Sequence, residues 1–193
     1  MDYNKAINFL ENGNPKGCID FFKDNNYILE YTYSLLLLEK INEAENILKK
    51  TDSVRADWLN KIILIIKGKC DIYPTYFQIR NFLEIDLNLF FKSNKINYVN
   101  KIMAVANIFQ QINNESYKFF GRVLLKNNYP KESKIFLDKS LDSYYNDVEL
   151  HYLFVEYYLY MNDFENAKRA VNNCLKINPK YYPAIKTKNN LYT

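Results

Sequence analysis

Glycine and proline are scarce in this chain, four and five among 193 residues. An all-β protein needs both for its many turns, and disordered chains are enriched in them, so the scarcity argues for long helices. Cysteine is scarce too. Cys18, Cys70 and Cys174 are far apart, odd in number and free of any CxxC pairing. Neither a disulfide framework nor a zinc site is indicated. The single histidine, His151, has no sequence neighbours that would give it a catalytic or metal-binding geometry. There is no glycine-rich phosphate loop, no nucleophile elbow and no HExxH stretch. Carboxylate pairs such as Glu43/Glu45 and Glu84/Asp86 read as solvated charges on helix faces. The chain therefore nominates no catalytic, cofactor-binding or metal-binding residue, and a non-enzymatic role is expected.

Long apolar runs are missing as well. Leu35–Leu38 and Ile62–Ile66 are the most apolar stretches, far short of the ~20 residues a membrane span needs. The start, Met1-Asp2-Tyr3-Asn4-Lys5, has no basic region followed by an apolar stretch, so no signal peptide is expected. These features together suggest a reduced, cytoplasmic protein. Charge of one sign is never concentrated: 26 basic and 22 acidic residues are interspersed, for a net +4. Nucleic-acid binders gather basic charge on one face, so such a partner is not indicated.

What is abundant is apolar and aromatic. Hydrophobic residues make up 48% of the chain and aromatic residues 17%, with 18 tyrosines. Together with the frequent Lys, Asn and Ile, this fits a genome rich in A and T, and the length suits one well-buried domain spanning 1–193.

From Asn114 to Pro179 a unit repeats after 34 residues. The set Tyr117, Phe120, Gly121, Leu124, Asn128, Ser133, Leu137, Ser140 is followed in register by His151, Phe154, Val155, Tyr158, Asn162, Ala167, Val171, Cys174. Each unit has two amphipathic stretches joined by a short polar turn, Asn127-Asn128-Tyr129-Pro130 and Asn162-Asp163. The second unit closes at Pro179, which lacks an N–H and restricts Asn178 to extended backbone. In the other unit Tyr145 stands in place of that proline.

This pattern resembles the tetratricopeptide repeat (TPR), a helix–turn–helix unit of 34 residues. The resemblance implies an all-α fold, a TPR-like helical-hairpin solenoid wound as a right-handed superhelix. Small residues, here Gly121, Ser133, Ser140, Ala167 and Cys174, stand where paired helices cross closely, and Val155 is a bulkier departure. Residues 1–50 read as N-terminal repeats, with Cys18 and Ala44 in small slots. Residues 51–112 read as divergent helical pairs, 113–180 as two clear units, and 181–193 as a capping helix with Ile185 and Tyr192 inward. Helices are expected over 3–10, 16–23, 27–38, 41–50, 54–69 and 75–83; Asp52 or Ser53 would cap the fifth. The register is ambiguous over 84–95. Shifting the frame back once puts Leu83, Leu87 and Phe90 in one helix, Asn94-Lys95 in the turn, and Val99, Met103 and Ala106 in the next.

In the TPR family the first helices of successive units line a concave groove. Transferred by register, the groove residues are Glu84, Asn88 and Lys92, then Lys118, Arg122 and Lys126, then Glu149, Tyr152, Glu156 and Tyr160. Lys118 and Arg122 are four apart on one helix face and could receive a carboxylate together. The tyrosines would add apolar area with a polar tip. The alternative is that these are ordinary solvated residues paired across the groove, for example Arg122 with Glu156. A known TPR subclass grips C-terminal carboxylates with Lys and Asn residues, but Arg122 and Leu153 stand where asparagines are needed. A chaperone-tail clamp is therefore not expected. The resemblance implies a non-catalytic adaptor, scaffold or regulatory subunit that binds a protein or peptide segment. Other readings are an accessory subunit of a separately encoded enzyme, an RNA-binding helical-repeat protein, and a homo-oligomer.

Overall fold

The computed structural model describes residues 1–192, with backbone only for Tyr192. Among the described residues every regular element is helical, and no helix is long and apolar enough to cross a membrane. The chain divides into two compact units, Met1–Asn113 and Asn114–Thr193. The second begins where the 34-residue register begins.

In the first unit, α1 (Tyr3–Glu11) is followed by a short 3-10 turn at Pro15–Gly17 and by α2 (Ile19–Asp24). Then come α3 (Ile28–Leu37), α4 (Ile41–Leu48) and α5 (Val54–Ile66). The expected helix over 16–23 is thus split at Cys18, whose backbone is not helical. Ser53 caps α5, its hydroxyl accepting from the Ala56 N–H at 3.1 Å. The ambiguous stretch 84–95 continues the helix expected over 75–83 as one element, α6 (Tyr76–Lys92), and ends in the turn after it. It starts at a capping box, in which Thr75 Oγ1 accepts from the Gln78 N–H and Gln78 Oε1 accepts from the Thr75 N–H. The second helix of that pair is broken at Val105 into α7 (Ile96–Ala104) and α8 (Ala106–Ile112).

Asp86 explains why the register of α6 is hard to read. It lies on the inward face among Leu83, Leu87 and Phe90 and is as buried as they are, interrupting the apolar stripe. Ile85, on the outer face, is 60% exposed. The buried carboxylate is satisfied by three donors: Trp58 Nε1 at 2.6 Å, Tyr33 Oη at 2.9 Å and Arg55 Nη2 at 2.5 Å. Burial pushes the Asp86 carboxyl above its usual range against the pull of Arg55, Trp58 and Tyr33.

The second unit is two antiparallel hairpins and a further helix: α9 (Ser116–Lys126) on α10 (Pro130–Tyr144), α11 (Val148–Tyr160) on α12 (Phe164–Ile177), then α13 (Tyr182–Tyr192). Its core is built on Leu137, Leu150, Val155, Val171, Cys174 and Ala184. The small slots are closed: Ser133, Ser140, Ala167 and Cys174 have no exposed surface. Ser133 Oγ donates to the Gly121 carbonyl at 2.7 Å. A Cβ on Gly121 would lie 2.5 Å from Leu137 Cδ2, so any larger residue would force the buried Leu137 side chain to move. In α13 the fully buried residue is Ala184, whereas Ile185 is half-buried. The expected inward side chain of Tyr192 lies outside the described residues.

The hairpin turns share one device. Asn94, Asn128 and Asn162 have φ of 55°, 68° and 56° and lie 34 residues apart. Each follows a helix end in the left-handed region, where asparagine is tolerated better than other non-glycine residues. The next N–H reaches back five residues: Lys95 to Phe90 O at 2.7 Å, Tyr129 to Leu124 O at 2.9 Å, Asp163 to Tyr158 O at 2.8 Å. The carbonyls at the helix ends are thereby satisfied and the chain reverses.

Candidate functional site

Within the second unit, α9 and α11 present one face each to a groove of about 720 Å³. Arg122, Leu125 and Lys126 line it from α9, and Glu149, Tyr152, Leu153, Glu156, Leu159 and Tyr160 from α11, with Tyr181 completing the wall. Arg122 and Lys126 share a stripe because they are one turn apart, and Tyr152, Glu156 and Tyr160 do so on α11. The groove thus brings together Arg122, Lys126, Glu149, Tyr152, Glu156 and Tyr160 of the residues transferred by register.

Lys118 does not line it. Its side chain is 3% exposed, with Nζ 2.5 Å from Asp147 Oδ2, 2.9 Å from Glu115 Oε1 and 3.3 Å from Glu149 Oε2. Four residues separate Lys118 from Arg122, which sets them on the same side of α9, yet the start of α11 covers the first and leaves the second open. Burial alone would lower the Lys118 pKa, but the hydrogen bonds to Asp147 and Glu115 outweigh it and hold the ammonium above its usual value. Asp147 responds in kind. Its burial is outweighed by Lys118 and by the backbone N–H groups of Leu150 and Glu149, which it caps, so its carboxyl sits below the usual range. Arg122 Nη2 lies 2.9 Å from Glu149 Oε2. The expected joint carboxylate receptor of Lys118 and Arg122 is therefore occupied by the protein's own Asp147 and Glu149. The pairing across the groove runs to Glu149 rather than to Glu156.

Glu156 is different. Among the described residues it makes no hydrogen bond and no ion pair. It is open to solvent on one side but walled by the groove, and this burial pushes its carboxyl up against the longer-range pull of Arg122. Tyr160 is 47% exposed. Tyr152 is anchored, its hydroxyl 3.1 Å from Thr187 Oγ1 and its ring edge-on to Tyr181 at 5.7 Å. The Tyr181 hydroxyl is pushed up by burial and then by Glu149, with Glu156 contributing.

Glu84 and Asn88 lie half-buried on α6 in the first unit. Asn88 Nδ2 donates to the Glu84 carbonyl at 2.7 Å. Asn88 and Lys92 line a separate cavity of about 400 Å³ with Leu10, Leu29, Arg55 and Leu89. Arg55 Nη1, buried beside this cavity, has no hydrogen-bond partner.

His151 is half-buried on α11, with Nε2 2.7 Å from the Tyr145 carbonyl, which requires the proton on Nε2. Cys18 and Cys174 are buried, and burial raises both thiols, that of Cys174 to about 12. Cys70 is exposed. Among the described residues no group of three or more His, Cys, Asp or Glu side chains is placed to hold a metal ion.

Sequence reasoning missed Tyr181, because Asn178-Pro179 reads as the end of a unit and Tyr181 falls between that end and the last helix. It also missed the enclosure of Lys118. The available signal was Glu115, three residues earlier on the same face.

Among the described residues the fold is all-α. No family model matches the chain, and no curated protein matches it.

Proposed function

We propose that this chain is a TPR-like helical-hairpin solenoid acting as a non-catalytic protein-interaction module, an adaptor, scaffold or regulatory subunit that binds a peptide or protein segment. The observation that carries the reading is the groove between α9 and α11, the first helices of successive hairpins. Six residues selected by a 34-residue register, without reference to any cavity, line that one concavity. Its floor of Leu125, Leu153 and Leu159 supplies apolar area, and its tyrosines and charges supply orientation. The 34-residue spacing of the three asparagine turns supports the same repeat.

The test is affinity capture of binding partners with the wild-type chain and with Lys126→Glu/Tyr160→Ala. Both side chains are exposed and neither belongs to the core, so circular dichroism is expected to be unchanged. A partner held by wild type and lost by the folded variant is the expected result. An identical partner list for both chains would remove the groove from the function.

A further inference from the structure

We propose that the groove of the second unit receives a lysine or arginine side chain of its peptide ligand, with Glu156 as counter-ion and Tyr152 and Tyr160 on either side of the cation. This inference rests on the peptide-binding reading above. Glu156 lies four residues from each tyrosine on one face of α11, a rise of about 6 Å in either direction. A cation above the carboxylate therefore comes within reach of both rings, whose negative faces attract it.

The charges around the groove favour this occupant over an acidic one. Lys118 is enclosed by Glu115, Asp147 and Glu149, and Arg122 is held by Glu149. The remaining groove charges are Lys126 and Glu156, both open to solvent and free of ion pairs, but the groove wall desolvates Glu156 on one side. A fully solvated lysine gains little from a partner charge, whereas a carboxylate desolvated on one side gains more, because the local dielectric is lower there. An incoming carboxylate would lie beside the unpaired Glu156, whose charge adds to burial and to Glu149 in raising the Tyr181 hydroxyl. The volume, about 720 Å³, exceeds what one basic side chain fills, and Leu125, Leu153 and Leu159 offer the rest as apolar floor. That favours a peptide with an apolar residue beside the basic one over a free amine.

Random heptapeptides displayed on phage and selected on the full chain test this. The expected enrichment is Lys or Arg at one position with an apolar neighbour. The best synthetic peptide should bind Glu156→Gln about tenfold more weakly than wild type, with both proteins melting alike. Acidification should weaken wild-type binding as Glu156 protonates and leave Glu156→Gln less affected. The groups facing Glu156 are Arg122 and Lys126 from α9, Glu149, Tyr152 and Tyr160 from α11, and Tyr181; Glu149 is the other carboxylate among them, and both proteins share it.

Enrichment of Asp or Glu, or a basic preference that survives Glu156→Gln, would overturn the inference. So would N-acetyl-lysine amide binding as tightly as the whole peptide. Selected peptides that lack a basic position but lose binding to Tyr160→Ala would overturn it while leaving the groove reading intact. No selected peptide at all would overturn both.

Discussion

Lys118 joins Glu115, just ahead of α9, to Asp147 and Glu149 at the start of α11, so one ammonium fastens two hairpins of the unit. Removing it leaves Asp147 partly buried without its Lys118 counter-charge. Lys118→Met should therefore cost about 2 kcal/mol of stability, measured by thermal or urea unfolding. The pH dependence has two wings. Asp147 is depressed in the fold, so its contribution is complete above the unfolded carboxylate value of ~4 and is lost as pH falls through the folded one. Lys118 is raised, so its contribution is complete below the unfolded lysine value of ~10.4 and is lost as pH rises through the folded one. In Lys118→Met both the alkaline and the acid wing should shrink. At the same scale, maleimide at neutral pH should label one thiol in the folded chain, Cys70, and three after unfolding, because Cys18 and Cys174 are enclosed.

The elements of the second unit are held in register by features a few atoms wide. At Asn128 the left-handed backbone penalises any residue with a Cβ and no compensating polar group. Asn128→Ala should destabilise by about 1 kcal/mol and Asn128→Gly should not, as read by denaturant midpoints. At Gly121 an alanine gains about 1 kcal/mol of helix propensity but drives its Cβ into Leu137. Gly121→Ala should be net destabilising, and Leu137→Ala in the same chain should cost less beside it than alone, since the smaller side chain relieves the clash. These features were legible in the sequence because each depends on one residue type at one spacing: an asparagine between helices, a small residue at a crossing. The course of α6 was not legible, because Asp86 sits inward among leucines and its partners Arg55 and Trp58 lie about 30 residues away. No periodicity encodes a contact of that kind.

For the whole molecule the same distinction decides what could be read about function. That all regular elements would be helical followed from the scarcity of glycine and proline and from the 34-residue repeat. Which positions share a groove was legible only through the resemblance to the TPR register, which picked out Arg122, Lys126, Glu149, Tyr152, Glu156 and Tyr160. Which of them keep their charge for a ligand could not be read, because it depends on distances across helices. Lys118 is closed off by Asp147, and Glu156 is left unpaired. Arg122 and Lys126 balance Glu149 and Glu156 in the groove, so it offers phosphate no net attraction. Gel shifts with single-stranded RNA at physiological salt should show no salt-dependent retardation.

The groove itself is tested most directly by a photo-crosslinking amino acid placed at Tyr160 in one variant and at Glu132, on the opposite helix of the neighbouring hairpin, in another. Each variant is exposed to extract of the native host. Binding in the groove predicts one discrete crosslinked partner from position 160 and none from position 132. Equal crosslinking from both positions, or crosslinking from 132 alone, would contradict it.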